Sequence, residues 1–143
     1  MWRDFIVNLT DAATYGSPAS AADLAEAEKD LAIIFPGELR ELLSESDGIK
    51  GAYGLNVVWP LARIQKDNLE FRTRLDFRQL YMPFDCLLFF GDAGDGDQFA
   101  YAILDGEIRR DDVYRWCHET DSREWAASSL RQYLERWATG RLG

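Results

Sequence analysis

The sequence predicts an α+β fold: N-terminal helices, a mainly antiparallel central sheet, and a C-terminal helix packed on that sheet. Three observations carry this expectation. Trp2, Phe5, Ile6 and Leu9 fall at i, i+3, i+4 and i+7, one face of a helix. Between Asp85 and Leu104, the apolar run Leu87-Leu88-Phe89-Phe90 and an apolar-rich run from Gln98 flank the loop Gly91-Asp92-Ala93-Gly94-Asp95-Gly96-Asp97, which reads as two buried strands around a turn. Near the end, Trp125, Leu130, Tyr133, Leu134 and Trp137 return to helical spacing.

The elements follow in order. After the first helix, Asp11 to Ala19 contains Gly16, Ser17 and Pro18 and reads as a loop. Ser20-Ala21-Ala22-Asp23 resembles a capping box, because a serine hydroxyl can accept the free N–H three residues on. Leu24, Ala27, Glu28 and Leu31 then share a face. Phe35-Pro36 breaks that helix, and Pro36 suits the first turn of the next, whose stripe is Leu39, Leu42 and Leu43. Asp47-Gly48 ends it, with Gly48 as a left-handed cap. Tyr53 to Val58 is strand-like, and Pro60 can start a helix carrying Leu61 and Ile64, continued less regularly through Leu69, Phe71, Leu75 and Phe77. Past the hairpin, Asp105-Gly106 is a turn signal and Ile108 to Cys117 a further strand region, mainly Val113 to Trp116. Asp121 or Ser122 would cap the final helix, Trp125 and Trp137 would share its buried face, and Gly140 would stop it.

A chain of 143 residues with 47% apolar and 13% aromatic residues forms one domain with a real core, 1–143, not a disordered segment. No apolar run approaches the ~20 residues of a membrane span. The start, Met1-Trp2-Arg3-Asp4-Phe5, does not read as a signal peptide. Cys86 and Cys117 are expected inside strands as buried free thiols, which suits a reducing cytoplasm. The net charge of −9 is uneven: residues 1–50 hold ten acids and four bases, and residues 91–112 hold seven acids and two bases. Nucleic-acid binding needs a basic footprint, so this balance opposes it. It agrees with a basic protein partner, and equally with an acidic surface that only keeps the domain soluble.

The Asp92–Asp97 loop is the best metal candidate, yet it fails the calcium-loop pattern of acids at positions 1, 3 and 5 and Glu at 12. Counting from Asp92, positions 3, 5 and 12 are Gly94, Gly96 and Ile103; counting from Asp95, positions 5 and 12 are Phe99 and Gly106. A tight loop of small residues close to a neighbouring backbone is the expectation, with no metal and no cofactor. His118, the single histidine, lacks an adjacent nucleophile and is expected to cap or hydrogen-bond. No zinc spacing, phosphate loop, dinucleotide fingerprint or nucleophile elbow is present, so no catalytic residue is assigned. Arg63, Arg72, Arg74 and Arg78 could form a phosphate patch but read better as a solvated face offset by Asp67, Glu70 and Asp76.

Several segments together resemble the SUKH superfamily, named in part for the yeast cell-wall-assembly regulator. Glu28-x-x-Leu31, Phe35-Pro36, Leu39-Arg40-Glu41-Leu42-Leu43 and Asp47-Gly48 look like its helix, proline, helix, glycine opening, with Asp47 where Asn is common. Trp59-Pro60-Leu61-x-x-Ile64 is similar to its short helix after the first strand. Leu87-Leu88-Phe89-Phe90-Gly91-Asp92 leading to Gly96-Asp97-x-Phe99 is similar to its signature hairpin. Val113-Tyr114-x-Trp116-x-His118-Glu119 and Ser129-Leu130-x-x-Tyr133-Leu134 complete the pattern, which spans about residues 20–138. The resemblance implies a non-enzymatic binding domain. Bacterial members of this type are mostly viewed as immunity proteins that neutralise toxins, and others serve as regulatory or scaffolding modules; the family shares no catalytic residues. The partner implied is a toxin domain with a basic surface, a nuclease being one such class, met in the cytoplasm. The acids expected to be most exposed, and so the candidate partner-binding residues, are Glu38, Glu41 and Glu45 on the helix after Pro36 and Asp92, Asp95 and Asp97 in the loop.

Overall fold

A computed structural model describes residues 1–142. Its helices are α1 (Trp2–Leu9), α2 (Ala21–Leu31), α3 (Gly37–Glu45), α4 (Leu61–Thr73), α5 (Leu75–Leu80) and α6 (Leu130–Ala138). Its strands are β1 (Thr14–Tyr15), β2 (Ile49–Lys50), β3 (Asn56–Val58), β4 (Leu87–Asp92), β5 (Gln98–Ala102), β6 (Val113–Trp116) and β7 (Arg123–Ala127). The expected single sheet is two antiparallel ones, β1-β2-β3 and β4-β5-β6-β7, and the Trp59 N–H donates to the Phe90 carbonyl (2.7 Å) where they meet. No helix among the described residues is long and apolar enough to cross a membrane.

The continuous apolar run of β4 follows from burial on both faces, since a strand covered on one side only would alternate. Phe89 meets Phe71, Phe84 and Trp116 on the α4–α5 side, with ring centroids 5.2, 5.4 and 5.7 Å away. Phe90 stacks on Tyr101 (4.8 Å) and meets Tyr133 of α6 (5.1 Å) on the other. A bulge lies between Phe89 and Gly91, pairing them with Ala100 and Phe99. The outer edge of β4 is closed by Asn68 of α4, whose side-chain amide donates to the Phe89 carbonyl (2.9 Å) and accepts the Phe89 N–H (2.8 Å). Such a cover leaves no free ladder for another chain to pair with at that residue.

The helical stripes lie where spacing puts them. Leu24, Ala27, Glu28 and Leu31 are buried, as are Leu39, Leu42 and Leu43. The Ser20 hydroxyl caps α2 by accepting the Asp23 N–H (3.0 Å). Other expectations need correcting. The last helix does not start near Asp121. Residues Arg123–Ala127 form β7, the strand that completes the hydrogen bonds of β6, and Ser129 caps α6. Trp125 therefore stands half exposed on an edge strand and Trp137 is only partly buried, so they share no core face. Asp121 instead holds a turn at φ +61: its carboxylate accepts from Met82 N (2.8 Å), Trp116 Nε1 (2.7 Å) and Arg123 Nη2 (3.1 Å).

α3 ends at Glu45 with Ser46 extended, so Gly48, at φ +90, belongs to the following turn and not to the helix cap. Residues Ala52–Gly54 form a 3-10 turn, which shortens the expected strand to Asn56–Val58, and the loop after α1 contains the short β1. The cysteines lie in turns just outside β4 and β6; both are free, Cys86 exposed and Cys117 half buried. A one-residue offset from a strand end is enough to move a thiol from the core to a turn.

Candidate functional site

The two acidic clusters meet different fates. On α3 the glutamates do not form an open face. Glu45 closes the N-terminus of α1: its carboxylate accepts from Trp2 N (2.8 Å) and Arg3 N (3.3 Å) and pairs with the Met1 amino group (2.9 Å). These are the free N–H groups that every helix start leaves, and a carboxylate there also meets the positive end of the helix dipole. Burial pushes the Glu45 carboxyl up, but the donors outweigh it and hold it below the usual range. Glu38 accepts the Leu130 N–H at the start of α6 (3.2 Å), and its carboxyl is raised, chiefly by burial. Glu41 accepts from Trp2 Nε1 (3.3 Å) and stays exposed. The expectation of three exposed acids holds only for Glu41, because α1 and α6 pack along the very flank the glutamates occupy.

The hairpin loop is built from ion pairs. Asp92 receives a bidentate fork from Arg63 (2.7 and 3.0 Å), whose Nε also bonds Asp67 (3.0 Å) and whose guanidinium lies 3.9 Å over the Trp59 ring. Arg115 of β6 bonds Asp95 (3.0 Å) and Asp97 (2.9 Å). Asp97, 9% exposed, also takes the His118 Nδ1–H (2.7 Å) and the His118 backbone N–H (3.2 Å). An ionised carboxylate only accepts, so the proton sits on Nδ1. His118 is thus the hydrogen-bonding histidine expected. Of the three aspartates only Asp95 is well exposed, its side chain at 61% against 22% for Asp92 and 11% for Asp97. Arg63 and Arg115 are the partners of the loop aspartates that sequence reading misses. Arg115 carries no signal in the sequence, and Arg63 stands there among arginines that read as a solvated face. Of that group, Arg74 does pair in the open with Glu70 and Asp76, whereas Arg72 reaches into the fold.

Glycine at 96 is required twice over. Its φ of +103 lies in the region L side chains avoid, and a Cβ there would meet the His118 ring at 2.8 Å. Gly96→Val is expected to lower stability by ~1 kcal/mol or more, read as a shift of the denaturation midpoint; an unchanged midpoint would show that the loop tolerates a side chain.

Asp97 also makes stability depend on pH. Burial alone would raise its carboxyl, but bonds from His118 and Arg115 hold it below the ordinary value. Its contribution is therefore complete above an unfolded pKa of about 3.9 and is lost as pH falls through the lower folded value. The melting temperature should drop below about pH 4, and Asp97→Asn should remove part of that drop. A variant with the wild-type acid slope would exclude Asp97 as a source.

Two clefts flank the loop. One, of about 410 Å³, lies between Leu55, Asn56, Arg63, Asp92, Asp97 and Gln98. The other, of about 320 Å³, lies between Leu55, Asp95, Phe99, Arg115, Trp137 and Leu142. Among the described residues no group of three or more His, Cys, Asp or Glu side chains is placed to hold a metal ion. His118 Nε2 faces only Glu119 (3.9 Å), with no nucleophile hydrogen-bonded to the ring. What the arrangement can do is exchange partners: the exposed Asp95 carboxylate, held by Arg115, can accept a cation from another surface.

A family model described as SMI1-KNR4 cell-wall, SUKH_6, matches residues 21–134, from the start of α2 into α6. No curated protein matches the chain. The matched span takes in both sheets apart from β1, the Trp59-Pro60 helix start and the whole Asp92–Asp97 hairpin, and on that ground the chain belongs to the SUKH (SMI1-KNR4) family.

Proposed function

We propose that this domain is an immunity protein, which binds a bacterial toxin in the cytoplasm and neutralises it by occlusion. Membership of the SUKH family carries the reading, since it points to protein–protein interaction rather than catalysis. The net charge of −9 agrees with a toxin whose surface is basic, and a nuclease cleft is one such surface. The hairpin loop is the better docking face of the two acidic clusters. Asp95 reaches solvent beside Asp92 and Asp97, while Glu38 and Glu45 are spent on the starts of α6 and α1.

The test is co-expression with toxins encoded beside the gene, followed by association kinetics with whichever is neutralised. Asp95→Asn removes a charge yet keeps the Oδ1 acceptor that holds the Asp97 N–H (3.0 Å). It should slow association about threefold and flatten its dependence on salt, with dissociation little changed. Glu41→Gln should leave both rates unaltered. The reverse pattern would move the docking face to α3. Failure of the wild type to protect against any neighbouring toxin, with capture of a cellular protein instead, would replace immunity by a regulatory or scaffolding role.

A further inference from the structure

A second surface feature differs in character from the acidic loop. Under α5 and the turn before β4 lies a cavity of about 270 Å³, walled by Phe71, Phe77, Met82, Pro83 and Phe84. Arg72, Arg78 and Asp85 complete its lining. Arg63, Arg74, Arg115 and Arg123 each pair with a carboxylate. Among the described residues the two arginines at this cavity do not. Arg72 donates only to the Leu31 carbonyl (3.0 Å) and, at the limit, to that of Leu87 (3.5 Å), and its buried Nε meets no acceptor. Arg78 donates only to the Arg72 carbonyl (3.1 Å).

A partly buried guanidinium without a counter-charge is costly, and the cost is relieved by an anion placed beside it. Burial lowers the pKa of Arg72, with Asp85 opposing that shift from a distance. Asp85 is the one acid at the rim; it is exposed and makes no ion pair there. The lining thus carries two positive charges against one negative. That balance suits a ligand with a single negative charge. The aromatic wall suits a flat apolar body, and the volume, at the low end for ligand pockets, suits one ring rather than several.

We propose that this cavity binds a small amphipathic monocarboxylate, with its ring against Phe71, Phe77 and Phe84 and its carboxylate toward Arg72 and Arg78. The proposal does not depend on the immunity reading. A ligand here would stabilise the α4–α5 corner whatever the loop binds.

The test titrates the full chain with phenylacetate, and separately with the neutral isostere phenylacetamide, following backbone amide resonances. Phenylacetate should shift the amides of Phe77, Met82 and Asp85 saturably, with a dissociation constant of a few millimolar or below, on the order of the weakest specific affinities. Phenylacetamide should bind about tenfold more weakly, the loss expected for a charge-assisted contact. Asp85→Asn should tighten phenylacetate about threefold, and Arg78→Gln should weaken it about threefold, as for exposed charges. Both residues are exposed, so both variants should fold. Equal binding of acid and amide, shifts centred elsewhere, no saturable shift at all, or indifference to both variants would each overturn the proposal.

Discussion

Asn68→Ala should cost about 3 kcal/mol of stability, because it strands both backbone groups of Phe89 in the core. Asn68 is 1% exposed. Its amide bridges the Ile64 carbonyl (2.7 Å) to the carbonyl and N–H of Phe89, so one side chain does for β4 what a neighbouring strand would do. Domains of this size hold only about 5–15 kcal/mol in total, so the denaturation midpoint should fall steeply with little change of slope. Asn68→Asp keeps the acceptor but loses the donor and buries a charge, and should be no better than alanine at neutral pH. A loss under about 1 kcal/mol for the alanine variant would mean that Phe89 finds other partners.

Gly91→Ala should be comparably damaging, at about 3 kcal/mol, the upper range of overpacking. A methyl group at 91 would overlap the Val57 carbonyl oxygen and come within 2.6 Å of the Tyr133 hydroxyl. Those two atoms are themselves hydrogen-bonded at 2.6 Å in the core, joining α6 to β3. The bulge in β4 and the hydrogen bond therefore depend on an absent side chain. The Gly91→Ala, Tyr133→Phe double variant tests this directly. Removing the hydroxyl should recover part of the loss but not all, because the Val57 backbone cannot move aside as a side chain can. Strict additivity of the two changes would show that the methyl group and the hydroxyl do not meet.

Much of this fold was legible because its signals are local. The Ser20 cap, the α3 stripe, the Pro60 helix start and the β4–β5 hairpin each depend on residues within a few positions of one another. The errors share one cause. Trp125 fits a helical period with Leu130 and Trp137, but β6 needed an antiparallel partner, and strand pairing outranked periodicity. The glutamates of α3 fit an exposed face, but α1 and α6 start against that face and use its carboxylates. In the acidic loop, composition identified the turn but not the partners, because Arg63 lies 29 residues from Asp92, and Arg115 lies 20 and 18 residues from Asp95 and Asp97.

By itself the sequence determined the α+β class, most helix starts, the two strands around the Gly-Asp loop, and the family, since each is written in spacing and order along the chain. Only the tertiary structure decided which acids remain free, that β7 is a strand, that Asn68 closes the edge of β4, and that two arginines lining an aromatic-walled cavity pair with no carboxylate among the described residues. The physical reason is common to all four. Charge and hydrogen-bonding capacity are properties of a residue, but whether they are satisfied depends on what distant segments bring within about 3 Å, the reach of a hydrogen bond.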